Sequence, residues 1–160
     1  MNERTKQRAG ILVAAVLAAD GLAHLYGATG NTWPAPDPET LSLAVLNVNV
    51  SFGPQVTIPL ACLLFSGALT VLVRVHRLGK PGRLIPDSLL QLGTLVVAAG
   101  LLLRGVAGIG WVLGLGADPS TPFYKLNLIV YTPVCLALFA AALVAARTER
   151  SHRLVVGQHK

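Results

Sequence analysis

Three ionisable side chains interrupt stretches that are otherwise apolar: Asp20, His24 and Arg104. A charge in the middle of an apolar helix costs roughly 2.5–3.5 kcal/mol on the membrane-insertion scale. Such a group faces protein or water, and it marks candidate chemistry. Asp20 and His24 are four residues apart, so one helical face carries both. An acid beside an imidazole can accept and return a proton. Arg104 can stabilise a negative charge, or cancel that of Asp20 if the two are buried together. Asn127 and Tyr131 are again i and i+4, and both can donate or accept toward Arg104. His76, His152 and His159 lie outside the apolar runs, so a two-histidine haem site has no support and no metal or other cofactor is expected. A nucleophile elbow, a glycine-rich phosphate loop and an HExxH pair are all absent from the sequence.

These residues are carried by four apolar runs, at about 9–28, 56–73, 89–115 and 126–146. A helix needs about 20 mostly apolar residues to cross ~30 Å of hydrocarbon, and only helices satisfy their backbone in separate spans. The third run would reach roughly 40 Å at 1.5 Å per residue, so it must tilt or protrude. The fold class expected is all-α, a four-helix transmembrane bundle in one integral membrane domain. Arg4, Lys6 and Arg8 ahead of the first run also fit a secretory signal. Three further spans make a retained first helix the more economical reading.

Composition agrees. The 160 residues are 53% hydrophobic and 12% charged, about half the charge of a soluble domain. The 13 basic residues outnumber the 7 acidic ones, which in a soluble chain would suggest nucleic acid. Their distribution says otherwise. Arg4, Lys6 and Arg8 precede the first run; Arg74, Arg77, Lys80 and Arg83 separate the second from the third; Arg147, Arg150, Arg153 and Lys160 follow the fourth. Basic residues stay cytoplasmic. Both termini and the middle loop are therefore expected inside a bacterial inner membrane, with the first and third loops outside. Nucleic acid is not an expected partner; membrane lipid is. The 147–160 tail is polar and expected to fray.

Depth arithmetic then brings the polar residues together. His24 lies 15 residues above Ala9 and Arg104 15 above Leu89, each about 22 Å from the cytoplasmic edge. Tyr131 is about 8 Å below the outer end of its run. Asp20, His24, Arg104, Asn127 and Tyr131 can thus share one polar layer in the outer half. The layer can serve as interhelical glue, as a ligand site or as an ion path.

In the long outer loop, Asp37-Pro38-Glu39 suits a helix start, with Asp as N-cap and Pro at the first position. A short interfacial helix through about Leu46 and an irregular cap both fit. Trp33 and Trp111 suit an outer aromatic belt. Pro133 kinks or loosens the fourth span near Tyr131. Gly110 and Gly114 form a small-xxx-small pair, suited to close packing or to a homodimer. Cys62 and Cys135 read as inert packing residues, a redox pair being the alternative.

His24-Leu25-Tyr26, Gly30, Arg104, Phe123-Tyr124-Lys125-Leu126-Asn127 and Tyr131-Thr132-Pro133-Val134-Cys135-Leu136 resemble a family of small four-span bacterial membrane proteins known only as a domain of unknown function. The resemblance runs from about Ala9 to Ala146, and the Tyr-Thr-Pro-x-Cys-Leu stretch is its most specific part. The segment from Thr29 to Pro34 looks like that of actinobacterial members. Two positions depart from the pattern: Gly27, where the family commonly has Trp, and Asn127, where it tends to have Asp. The resemblance implies a fold and no activity. If that Asp partners the span-three arginine, this chain must rely more on Asp20. The leading functional expectation is a polar site that binds a small or lipid-like molecule. The alternatives are a membrane-embedded isomerase, cyclase or redox enzyme on an isoprenoid-type substrate, and a small proton-coupled exporter.

Overall fold

The computed structural model describes residues 2–50, 52–76 and 85–147. Arg77, Lys80 and Arg83 of the middle loop lie outside the described residues, as does the tail from 148 onward with Arg150, His152, Arg153, His159 and Lys160. Among the described residues there are helices and loops and no strand. Three long helices are continuous: α1 (Glu3–Ala28), α3 (Pro54–His76) and α4 (Asp87–Val112). The fourth long helix, Pro122–Ala146, is built from α5 (Pro122–Leu126), a π-helical turn (Asn127–Tyr131) and α6 (Thr132–Ala146). All four are long and apolar enough to cross a membrane. A short helix, α2 (Pro38–Leu46), sits between α1 and α3.

The helix ends follow local chemistry. α1 starts ahead of its apolar run because Asn2 caps it, its side chain accepting from the Arg4 amide at 3.2 Å. α2 has the expected Asp37 cap and Pro38 start, and closes on Asn47 in the left-handed region. Asn47 also donates to the Gly116 carbonyl at 2.9 Å, which ties α2 to the loop after α4.

α4 stops at Val112, short of residue 115, where the apolar run ends. Gly114 turns the chain at φ +89°, and the Leu115 amide returns to the Gly110 carbonyl at 3.0 Å while that of Gly114 bonds Trp111. That is a Schellman stop, which needs glycine at the left-handed position. Gly110 and Gly114 are therefore not two steps of one helical face, and Gly110 faces Leu115 of its own turn.

The long helices run up and down in sequence around a square. α1 lies along α3 and also against α6, and α4 lies along α6 and against α3. α1 and α4 occupy opposite corners and make almost no contact. The core is small: Val13, Ala14 and Leu17 of α1 meet Ala68, Val71 and Val75 of α3, Ala98 of α4, and Leu138, Ala142 and Ala145 of α6. In lipid, helices gain little from burying apolar surface against one another, so close approach by small residues supplies the contact.

Arg74, counted among the basic residues between the second and third runs, packs into the bundle. It is 4% exposed. One guanidinium nitrogen donates to the Ala146 carbonyl at 3.3 Å, and the other lies 3.8 Å from the Asp87 carboxylate. A cation at the C-terminal carbonyls of α6 also opposes that helix's dipole. Arg74 thus joins α3, the start of α4 and the end of α6.

Two outcomes are expected. Arg74→Leu leaves the Ala146 carbonyl buried without its donor and lowers stability by about 1–3 kcal/mol, read from thermal unfolding in detergent. The Thr40 amide, donating to the Asp37 carboxylate at 2.8 Å, holds the Asp37 carboxyl below its ordinary 3.8, and the Thr40 hydroxyl, donating to the other carboxylate oxygen, adds to this. A depressed carboxylate stabilises above its unfolded value and loses that contribution as pH falls through the folded one. The Thr40 amide resonance should titrate below pH 3.8, and an unchanged shift there would refute the cap.

Candidate functional site

Arg104 is half-buried on α4, at the level where that helix presses on the fourth long helix. Gly105 and Gly108 make the approach possible. A Cβ at Gly105 would stand 2.7 Å from Leu136 Cδ2, and one at Gly108 would collide with the Thr132 hydroxyl. The facing backbone is locally rewound. Pro133 has no N–H to give, and the turn before it is π-helical, with the Thr132 amide reaching back to the Asn127 carbonyl. A π turn adds a residue to the helix and is frequent at functional sites. Here it carries both Asn127 and Tyr131.

Around the guanidinium the contacts are specific. Nη1 donates to Asn127 Oδ1 at 2.9 Å. Asn127 is fully buried, and its Nδ2 donates to the Phe123 carbonyl at 2.9 Å, which fixes the amide with its oxygen toward the arginine. The Arg104 carbon lies 4.9 Å from the Trp111 ring centroid and 5.4 Å from that of Tyr131. Each ring face attracts the cation. Trp111 is seven residues beyond Arg104 on the same face of α4, and Phe123 props it edge-on at 5.1 Å. The Tyr124 hydroxyl donates to the Val112 carbonyl at 3.1 Å and so holds the end of α4.

The five residues singled out by sequence fall into two groups. Arg104, Asn127 and Tyr131 meet, although Tyr131 offers its ring face where hydrogen bonding was expected. Asp20 and His24 form the second group on α1, with His24 Nε2 3.7 Å from Asp20 Oδ1. The anticipated direct cancellation of Arg104 by Asp20 does not occur. The reason is topological: their helices stand on opposite corners. Among the described residues, no carboxylate lies within ion-pair distance of Arg104.

Sequence reasoning missed Trp111, Thr132 and the glycine pair as parts of this site. The i, i+7 spacing of Arg104 and Trp111, and two glycines within one turn of Arg104, were the available signals. The Thr132 hydroxyl is buried without a hydrogen-bond partner, seated against Gly108. Both Cys62 and Cys135 are free thiols, Cys62 on the exposed surface of α3. Among the described residues no group of three or more His, Cys, Asp and Glu is placed to hold a metal ion.

The arrangement defines a class: a four-helix, membrane-type bundle built around one aromatic-flanked arginine. Residues 15–144 match the model of the family described as protein of unknown function DUF3995, and the chain belongs to that family. Comparison with curated proteins and with solved structures gives no match.

Gly108→Ala is expected to push α4 off α6 and lower stability by about 1–3 kcal/mol, the usual cost of overpacking. Removing the obstructing hydroxyl and methyl with Thr132→Ala should return part of that loss. Full additivity of the two changes in thermal unfolding would show that they do not touch.

Proposed function

We propose that the chain is a multi-pass protein of the bacterial cytoplasmic membrane that binds a small, lipid-like molecule through an acidic group held at Arg104. Four apolar helices and the clustering of basic residues at alternate loops support that location. The binding reading is carried by one observation. Arg104 is fixed by a neutral amide and two ring faces, and its positive charge has no carboxylate partner among the described residues.

Fixing without neutralising is what an anion site requires. A guanidinium in an apolar layer is costly, and a bound acid lowers that cost. Asn127 takes one Nη1 hydrogen, while the planar fork offers five N–H donors in all, so several remain for a carboxylate or phosphate. Trp111 and Tyr131 hold the fork without cancelling it. The apolar surroundings suit an acyl or prenyl tail, which makes an amphiphile the fitting ligand class.

The test uses dodecyl phosphate as probe, titrated into the Trp33→Phe protein in maltoside micelles, with Trp111 emission as the readout. Arg104→Gln should weaken binding by about 10- to 100-fold, the equivalent of one charge-assisted hydrogen bond at about 1.5–3 kcal/mol. Asn127→Asp should bring a carboxylate to the arginine, raise thermal stability and weaken the probe. Equal affinity in the parent and both variants would defeat the reading.

A further inference from the structure

The fourth long helix sets a level at the α2 end of the bundle. Its uncharged stretch, residues 126–146, runs about 31 Å at 1.5 Å per residue, which matches ~30 Å of hydrocarbon. α5 leads into that stretch and carries the exposed Lys125, so it stands at the boundary between headgroups and acyl chains. α2 packs against α5, and Asn47 at its end donates to the Gly116 carbonyl at 2.9 Å. α2 and the turn after α4 are thereby held at the same boundary.

What these segments present there is apolar. Ser42 is fully buried; its hydroxyl donates to the Val48 carbonyl at 2.6 Å and accepts from the Val50 amide at 2.8 Å, which holds residues 48–50 against α2. Leu43 and Leu46, one turn apart, are exposed, and so are Val48 and Val50. Leu46 and Leu115 flank the Asn47–Gly116 hydrogen bond, which makes them neighbours. Leu113 and Leu115 are 75% and 70% exposed. Single exposed apolar side chains need no explanation, but a group of them marks a contact surface. Its charge excludes one partner: residues 29–55 hold Asp37 and Glu39 and no Lys or Arg, so anionic headgroups have nothing to attract them. Its size disfavours another. One nine-residue helix and a short turn offer little against the roughly 1,200 Å² or more that a stable pair of copies buries.

We propose that α2 and the 113–116 turn form a lipid-docking surface, with Leu43, Leu46, Val48, Val50, Leu113 and Leu115 set into the acyl chains of the leaflet at this end. An interfacial helix sinks its apolar face about 5–10 Å into that layer, and the contact scales with apolar area. The contact is indifferent to headgroup charge. α5, on which α2 rests, also supplies Phe123, which props Trp111 and fixes the Asn127 amide. The leaflet contact thus bears on the segment that positions the partners of Arg104.

The experiment puts a nitroxide on single cysteines, Leu43→Cys, Leu46→Cys and Leu115→Cys, in the Cys62→Ala, Cys135→Ala protein. The protein is held in phosphatidylcholine vesicles and the label's collisions are read by spin resonance. Oxygen concentrates among acyl chains, whereas a neutral nickel chelate stays in water. Leu63→Cys, exposed on the α3 span, is the hydrocarbon reference, and Glu3→Cys at the start of α1 is the water reference. The three labels should meet oxygen severalfold more than nickel, as the Leu63 label does, and admixed phosphatidylglycerol should leave the ratio unchanged. Ratios like that of the Glu3 label put α2 in water and overturn the proposal. Low collision with both reagents means that a second copy covers the face, which overturns it equally. A ratio that climbs with phosphatidylglycerol overturns the apolar basis of the contact.

Discussion

Everything at the α2 end of the bundle depends on how a guanidinium is kept within an apolar layer. Arg104 cannot be left to hydrocarbon, and the surrounding residues are arranged for it. Gly105 and Gly108 remove the side chains that would hold α4 away from its neighbour. The π turn brings Asn127 and Tyr131 to the same side, and Phe123 steadies both Trp111 and, through its carbonyl, the Asn127 amide. Each is a local departure from regular helix packing, and all of them converge on one side chain. Consistency of this kind across separate elements is what specifies a single structure.

The connectivity explains the separation of charges. In an up-and-down square, consecutive helices are neighbours and α1 and α4 are diagonal. Residues on the diagonal can be level without touching. On the adjoining fourth long helix the residue that does reach Arg104 is Asn127 of the π turn, a neutral amide of nearly the same shape as an aspartate. The difference is one of charge alone: an aspartate there would complete a buried pair, while the amide positions the arginine and leaves its charge uncancelled.

Much of the fold was legible because it rests on length and periodic hydrophobicity. The four long helices, the Asp37-Pro38 start of α2 and the disturbance near Pro133 all follow from local signals. Depth arithmetic placed Asp20, His24, Arg104, Asn127 and Tyr131 in one layer, but depth is a single coordinate. It does not say which helices adjoin, and so it joined Asp20 to Arg104 across a diagonal. It also missed the Schellman stop at Gly114, because a small-xxx-small spacing and a helix terminator look alike until φ is known. The burial of Arg74 was not legible either, because it depends on where α4 begins and α6 ends.

The two arginines at helix junctions, Arg74 buried and Arg104 half-buried, differ in how their charge is met. Both are tied to helix–helix junctions, and both have a hydrogen bond to a neutral oxygen. Arg74 also has the Asp87 carboxylate at 3.8 Å and the negative end of the α6 dipole, so its charge is answered within the protein. Arg104 has two ring faces, which attract a cation without neutralising it. A bundle that needed only a clamp could have used the Arg74 solution twice. The second arginine is held by one amide oxygen and two ring faces, with no carboxylate within ion-pair distance among the described residues. That asymmetry is difficult to account for as packing, and it follows naturally if the missing counter-charge comes from a bound molecule.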